Sequence, residues 1–203
     1  YTLNGGANQT LISLGTTATV TVATGAAGTF SYDLVSVQDA SSTTCSQAQI
    51  GNATVVVNPL PTATIAGTVA LCEGDPAATI TFTGANGTAP YTFSYNLNGG
   101  TTQTITSVGT TATITVPSTP VGTYNYNLES IQDASSTGCS QVQVGTATVT
   151  VNPNPVPVIN GAATYCTGNF STLSTSAPFA TYLWSTGDAT PTTNVTIADN
   201  PIT

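Results

Sequence analysis

Apolar and polar residues alternate with period two along most of this chain, as in Ala78-Thr79-Ile80-Thr81-Phe82 and Ala147-Thr148-Val149-Thr150-Val151. No stretch shows the 3.6-residue spacing of an amphipathic helix, so the chain reads as all-β. Between Pro61 and Pro153 the pattern predicts seven strands, at about Thr62 to Ala66, Ala78 to Thr83, Tyr91 to Leu97, Gln103 to Ser107, Ala112 to Val116, Thr123 to Ile131 and Gln143 to Asn152. Asn98-Gly99-Gly100 predicts a tight hairpin turn between the third and fourth strands, because Asn and Gly tolerate the positive φ such turns need. Gly145, and Gly51 before it, interrupt otherwise regular strands and predict a bulge. Seven strands of this size suit one β-sandwich.

Displacing the chain along itself by 94 positions aligns Tyr1 with Tyr95 and runs without a gap to Asn58 and Asn152, with 36 of 58 positions identical. LNGG recurs at Leu3 and Leu97, GTTAT at Gly15 and Gly109, QDASST at Gln38 and Gln132, and CSQ at Cys45 and Cys139. Self-similarity of this kind predicts tandem modules of about 94 residues. The Pro-rich stretches VNPLPT and VNPNPVP, at Val57 and Val151, are the expected handovers. Residues 1–58 then read as the C-terminal part of a first β-sandwich module, 59–155 as a complete module, and 156–203 as the N-terminal part of a divergent third. The chain is expected to be a window on a longer array. Pro-rich joints are semi-rigid, so the modules are expected end to end.

Composition narrows the function classes. The 203 residues include 44 Thr and eight carboxylates but no Lys, Arg, His or Met. Without cations the chain lacks the phosphate-neutralising term that dominates nucleic-acid binding, and it has no attraction for anionic membrane surfaces. Without His or Lys it lacks the usual general base and the Schiff-base amine. No apolar run is long enough to span a bilayer as a helix. The chain is therefore expected to be no enzyme, to bind no nucleic acid, to insert in no membrane through this region, and to work outside the cell.

Four cysteines without metal-ligand spacing suggest disulfides in that setting. Only Cys72 and Cys139 share the complete module, and their cross-link would close a loop worth about 4 kcal/mol on the chain-entropy model. Such a bond would require the first strand to split and switch edges, and Cys45 and Cys166 would find partners elsewhere in the array. Free thiols are the alternative. The same bond would draw Glu73 and Asp75 toward Asp133, a set of oxygen ligands of the kind calcium takes, with solvated or turn-forming carboxylates as the competing reading. Tyr91, Phe93, Tyr95, Tyr124 and Tyr126 fall on alternate positions of two strands, as a core face does; a sugar-stacking platform is the second reading. Glu129 and Asp133 have no spacing that would set them up as paired catalytic carboxylates.

GTAPYTFSYNLNGG from Gly87 and GTYNYNLESIQDASSTGCS from Gly122 resemble the PKD-like and immunoglobulin-like repeats of giant Bacteroidota surface proteins, including gliding-motility adhesins of the SprB type. YLWSTGD from Tyr182 is similar to a degenerate PKD strand-turn signature, with Trp184 in the place of its core tryptophan. The resemblance implies immunoglobulin-like or PKD-like sandwiches, type IX secretion and attachment at the cell surface. It also implies a long adhesive or structural fibre whose partners are further repeats of the same chain, surface glycans or other cells. Accessory binding or spacer modules of an extracellular hydrolase, and a matrix or surface-layer protein, are the competing functions. Independently of the family, trypsin cleaves only after Lys or Arg, so the heat-denatured chain is expected to stay full-length in pure trypsin, read by mass spectrometry of the intact protein.

Overall fold

The computed structural model describes residues 1–196. Its described residues form fourteen strands and no helix. In chain order these begin with β1 (Thr2–Leu3), β2 (Gly28–Gln38) and β3 (Ser46–Val57), then β4 (Thr62–Ala66), β5 (Val69–Cys72), β6 (Ala78–Ala85) and β7 (Thr92–Leu97). They continue with β8 (Gln103–Thr106), β9 (Thr111–Val116), β10 (Gly122–Gln132) and β11 (Ser140–Asn152), and end with β12 (Ile159–Asn160), β13 (Ser171–Thr175) and β14 (Thr192–Val195).

Strands β4 to β11 make two sheets, one ordered β4-β6-β9 and the other β5-β11-β10-β7-β8. Alternation does the sorting. On β6, Ala78, Ile80 and Phe82 point inward while their neighbours do not, and on β11 Ala147, Val149 and Val151 do the same. The sheets meet at Phe82, whose ring lies 5.6 Å from Phe93 and 5.2 Å from Tyr95 across the interface. This is the face-to-face packing of a β-sandwich. Four of the five alternating aromatics, Tyr91, Phe93, Tyr95 and Tyr126, are buried in that core, and Tyr124 packs against it, so they form no open platform. The Tyr124 hydroxyl donates to Pro120 O at 2.7 Å, tying the start of β10 to the corner before it.

Two local devices shape the sheets. Between Leu128 and Ser130 the register of β10 slips against both neighbours, and the slip on β11 falls beside Gly145, where the interruption predicted a bulge. The extra residue shifts the phase of alternation, so Leu128 and Ile131 both face the core although three positions apart. At Gly100 the N–H donates to Leu97 O at 2.9 Å across Asn98 and Gly99, whose φ values of 52° and 72° make this the expected hairpin turn.

The first expected strand, Thr62 to Ala66, is β4, and it is followed by a strand that the pattern does not predict. After β4 has paired with β6, Gly67 takes φ 121° with no room for a Cβ against Thr79 O and Ile80, and the chain crosses to the other sheet. There β5 runs parallel to the end of β11, Val69 opposite Val149 and Cys72 opposite Asn152. Residues 62–152 thus hold eight strands where the periodicity predicts seven, because a four-residue segment after a sheet switch leaves no pattern of its own.

Residues 1–58 contribute the sheet β1-β2-β3. The β2–β3 hairpin reproduces β10–β11 pair for pair at the 94-residue displacement, from Gly28 opposite Val57 to the bulge between Leu34 and Ser36. The expected boundary at 58 is not a break in compactness, since Tyr1–Asn152 forms one unit. The second unit begins at Pro153 and not at 156, directly after β11 ends, where proline has no N–H to continue the ladder. In that unit β12-β13-β14 form a small sheet. YLWSTGD holds a turn, with Gly187 N donating to Trp184 O, but no strand, and Trp184 is only half-buried, its indole donating to Thr190 O at 2.9 Å. Residues 197–203 of the expected third module lie outside the described residues.

Equivalent leucines differ in surroundings, Leu128 being 3% exposed and Leu34 41%. Leu128→Ala is expected to cost roughly 2–5 kcal/mol, and Leu34→Ala within about 0.5 kcal/mol of nothing, measured by urea unfolding of the two variants.

Candidate functional site

The most organised polar feature of the β4–β11 sandwich is the loop joining β10 to β11, at the end where the Pro-rich linker enters. Asp133 is its centre, 6% exposed. Its carboxylate accepts from Thr88 N at 3.0 Å and from the Ser135 hydroxyl and N–H at 2.7 and 3.2 Å. The loop closes on itself through Asp133 N to Cys139 O and Gly138 N to Ser135 O, and it is stitched to the loop before β7 by Ala134 N to Thr88 O. An Asp followed two residues later by Ser folds this way locally, because the carboxylate captures the N–H and hydroxyl that a tight connection would otherwise leave unpaired.

Gly87 is required for the closeness of these loops. A Cβ there would stand 2.7 Å from Asp133 Oδ2 and 3.1 Å from Pro61 Cβ. Pro61, the last linker residue, is itself fully buried, so linker, loop and carboxylate form one packed cap. The preceding hairpin is fastened to the same loop, Asn58 Nδ2 donating to Thr137 Oγ1 at 2.9 Å. Thr137 Oγ1 in turn lies 3.2 Å from Cys139 Sγ. Neither Asn58 nor Thr137 stood out in the sequence, although Asn-Pro recurs at both handovers and was the available signal.

The carboxyl of Asp133 sits below the ordinary aspartate value. Burial, the largest single influence, pushes it up, but the Ser135 hydroxyl and the N–H groups of Thr88, Ser135 and Cys139 together outweigh it. Asp39, the equivalent residue of the first hairpin, is also lowered, by the Ser41 hydroxyl first and then by the N–H groups of Ser41 and Cys45. It makes the same turn without the docking to a neighbouring loop.

The grouping expected around a Cys72–Cys139 disulfide is not formed. Cys139 immediately precedes Ser140 at one end of β11, whereas Cys72 pairs with Asn152 at the other. A strand of this length separates them by roughly 40 Å, against a disulfide Cα separation of at most about 7 Å. All four cysteines are free thiols. The chain does switch sheets after β4, as such a bond would require, but the parallel pairing of β5 carries Cys72 along β11 to its far end.

Glu73 and Asp75 go with it. Glu73 N donates to Asn152 O and Asp75 Oδ2 accepts from Cys72 N at 2.8 Å, so neither carboxylate shares a site with Asp133. Among the described residues no group of three or more acidic, Cys or His side chains is placed to hold a metal. Glu129 is the bulge residue of β10 and accepts from Asn96 Nδ2 at 2.7 Å; its carboxyl is lowered by that bond and by Thr102. No protein-family model and no curated protein sequence matches the chain.

A group whose pKa is depressed by folding stabilises the fold above its unfolded value and ceases to do so as pH falls through the folded one. The Asp133 contribution is therefore expected to be complete at neutral pH and to fade below the ordinary aspartate value of 3.8. At pH 7, Asp133→Asn is expected to cost roughly 1–3 kcal/mol through lost hydrogen bonds and to flatten the acid limb of a urea-midpoint titration. Asp39→Asn should do less of both.

Proposed function

We propose that this chain is a non-catalytic structural stretch of a long extracellular, cell-surface fibre built from tandem immunoglobulin-like, PKD-like sandwiches of about 94 residues set end to end. The observation that carries the reading is the joint: the hairpin before the linker repeats the last hairpin of the complete module, and Asn58 reaches Thr137 of the next module's cap while Pro61 is buried against it. A linker consumed in packing transmits position from one module to the next, which a stalk requires and a flexible tether avoids. The sheet orders β4-β6-β9 and β5-β11-β10-β7-β8, with β5 crossing to the other sheet and Tyr124 near the start of β10 bonded back to the preceding corner, support the immunoglobulin-like assignment. The resemblance to surface repeats of the gliding-adhesin type supports export by type IX secretion and a role in adhesion, with neighbouring repeats, surface glycans or other cells as partners.

Tandem proteins of two, four and six copies of residues 59–152 test this. Small-angle scattering or electron microscopy is expected to show a rod that lengthens by about 40 Å per module. Particles whose longest dimension does not grow with copy number would overturn the fibre and favour spacer modules of an extracellular hydrolase.

A further inference from the structure

The cysteines recur at the 94-residue displacement, Cys45 with Cys139 and Cys72 with Cys166, yet no two of them meet. Their positions within the module explain how they can still be a pair. Cys139 lies on the loop that receives the preceding module, and Cys72 lies at the opposite end, on the edge of the strand that leads out to the following one.

We propose that the two cysteines form an inter-module disulfide: Cys72 of one module with the counterpart of Cys139 in the next. Asn152 is the Cα partner of Cys72, about 4.8 Å away across a strand pair. Asn58 occupies the place of Asn152 in the preceding module, and its amide contacts Thr137 Oγ1, which touches Cys139 Sγ. A strand equivalent to β5 laid beside Asn58 would place its terminal cysteine on the same side of the joint as Cys139, linked to it through Asn58 and Thr137. The thiols are open to reaction, Cys72 exposed and Cys139 partly so. The reaction is an exchange: two protein thiols and one molecule of oxidised glutathione give one protein disulfide and two glutathione thiols, the two electrons and two protons passing to glutathione. Each joint with the VNPLPT geometry would carry one bond, so an array would be clasped covalently at every handover without any bond inside a module. The inference stands on the joint and not on what the array does.

The test inserts a second copy of residues 59–152 after Asn152, which recreates the Asn-Pro-Leu-Pro joint between two complete modules. One variant keeps Cys72 of the first copy and Cys139 of the second, with Ser at the other four cysteines, Cys45 and Cys166 included; the reciprocal variant keeps only Cys139 of the first and Cys72 of the second. After equilibration with oxidised glutathione, peptic peptides of the first variant are expected to contain the 72–139 cross-link, and those of the reciprocal variant to lack it. A bond in both, in neither, or only in the reciprocal protein would overturn the proposal. As a check that needs no duplication, Asn58→Cys in the 203-residue chain should be joined to Cys139 by a short bis-maleimide; failure to cross-link in a folded protein would overturn the joint geometry and the proposal with it.

Discussion

The fold depends on the pairing of β11 on both of its edges. Antiparallel to β10 on one side and parallel to β5 on the other, this strand of thirteen residues runs the length of the sandwich and fixes what lies at each end. At its start are Asp133, the loop cap and the incoming linker; at its finish are Cys72, Glu73 and the outgoing proline. The parallel half of that pairing exists because Gly67 can turn the chain from one sheet to the other where any side chain would collide with β6. Remove that freedom and the first strand stays in one sheet, β11 loses an edge partner, and the far end of the module has no organised terminus.

A chain with no Lys, Arg or His must satisfy its carboxylates by other means. Here the donors are backbone N–H groups, hydroxyls and amides: Thr88 and Ser135 for Asp133, Ser41 and Cys45 for Asp39, Cys72 for Asp75, Asn96 for Glu129. Such bonds are short-range and directional, so the carboxylates act as turn closers and loop staples. They bind one loop to another only where a glycine permits approach, as Gly87 does beneath Asp133. The first hairpin carries the same QDASST sequence and the same turn, but not the docked loop, and its Asp39 remains exposed.

The apolar residues show the same dependence on surroundings. Leu34 and Leu128, or Val37 and Ile131, hold equivalent places in hairpins of equal register, yet one member of each pair is exposed and the other buried. The alternation that marks them as inward-facing is present in both hairpins. What buries them in the second is the sheet β4-β6-β9 laid across it, with Phe82 reaching between Phe93 and Tyr95.

The sequence by itself determined the all-β character, most strand positions in the complete module, the turn at Asn98-Gly99, the bulge beside Gly145, and the recurrence of one hairpin. These follow from period-two alternation and from the φ tolerance of particular residues, which are properties of a few consecutive positions. Only the tertiary structure decided which edge of β11 the segment Val69–Cys72 joins and in which direction. An antiparallel or a parallel partner presents the same alternating side chains, and direction and register together set Cys72 at the far end of β11. It carried the expected disulfide and the acidic grouping apart, and it left Asp133 to work with Thr88, Ser135 and the linker. The joint was hidden for the same reason: Asn58 and Thr137 lie 79 residues apart, and nothing local in either one specifies the other.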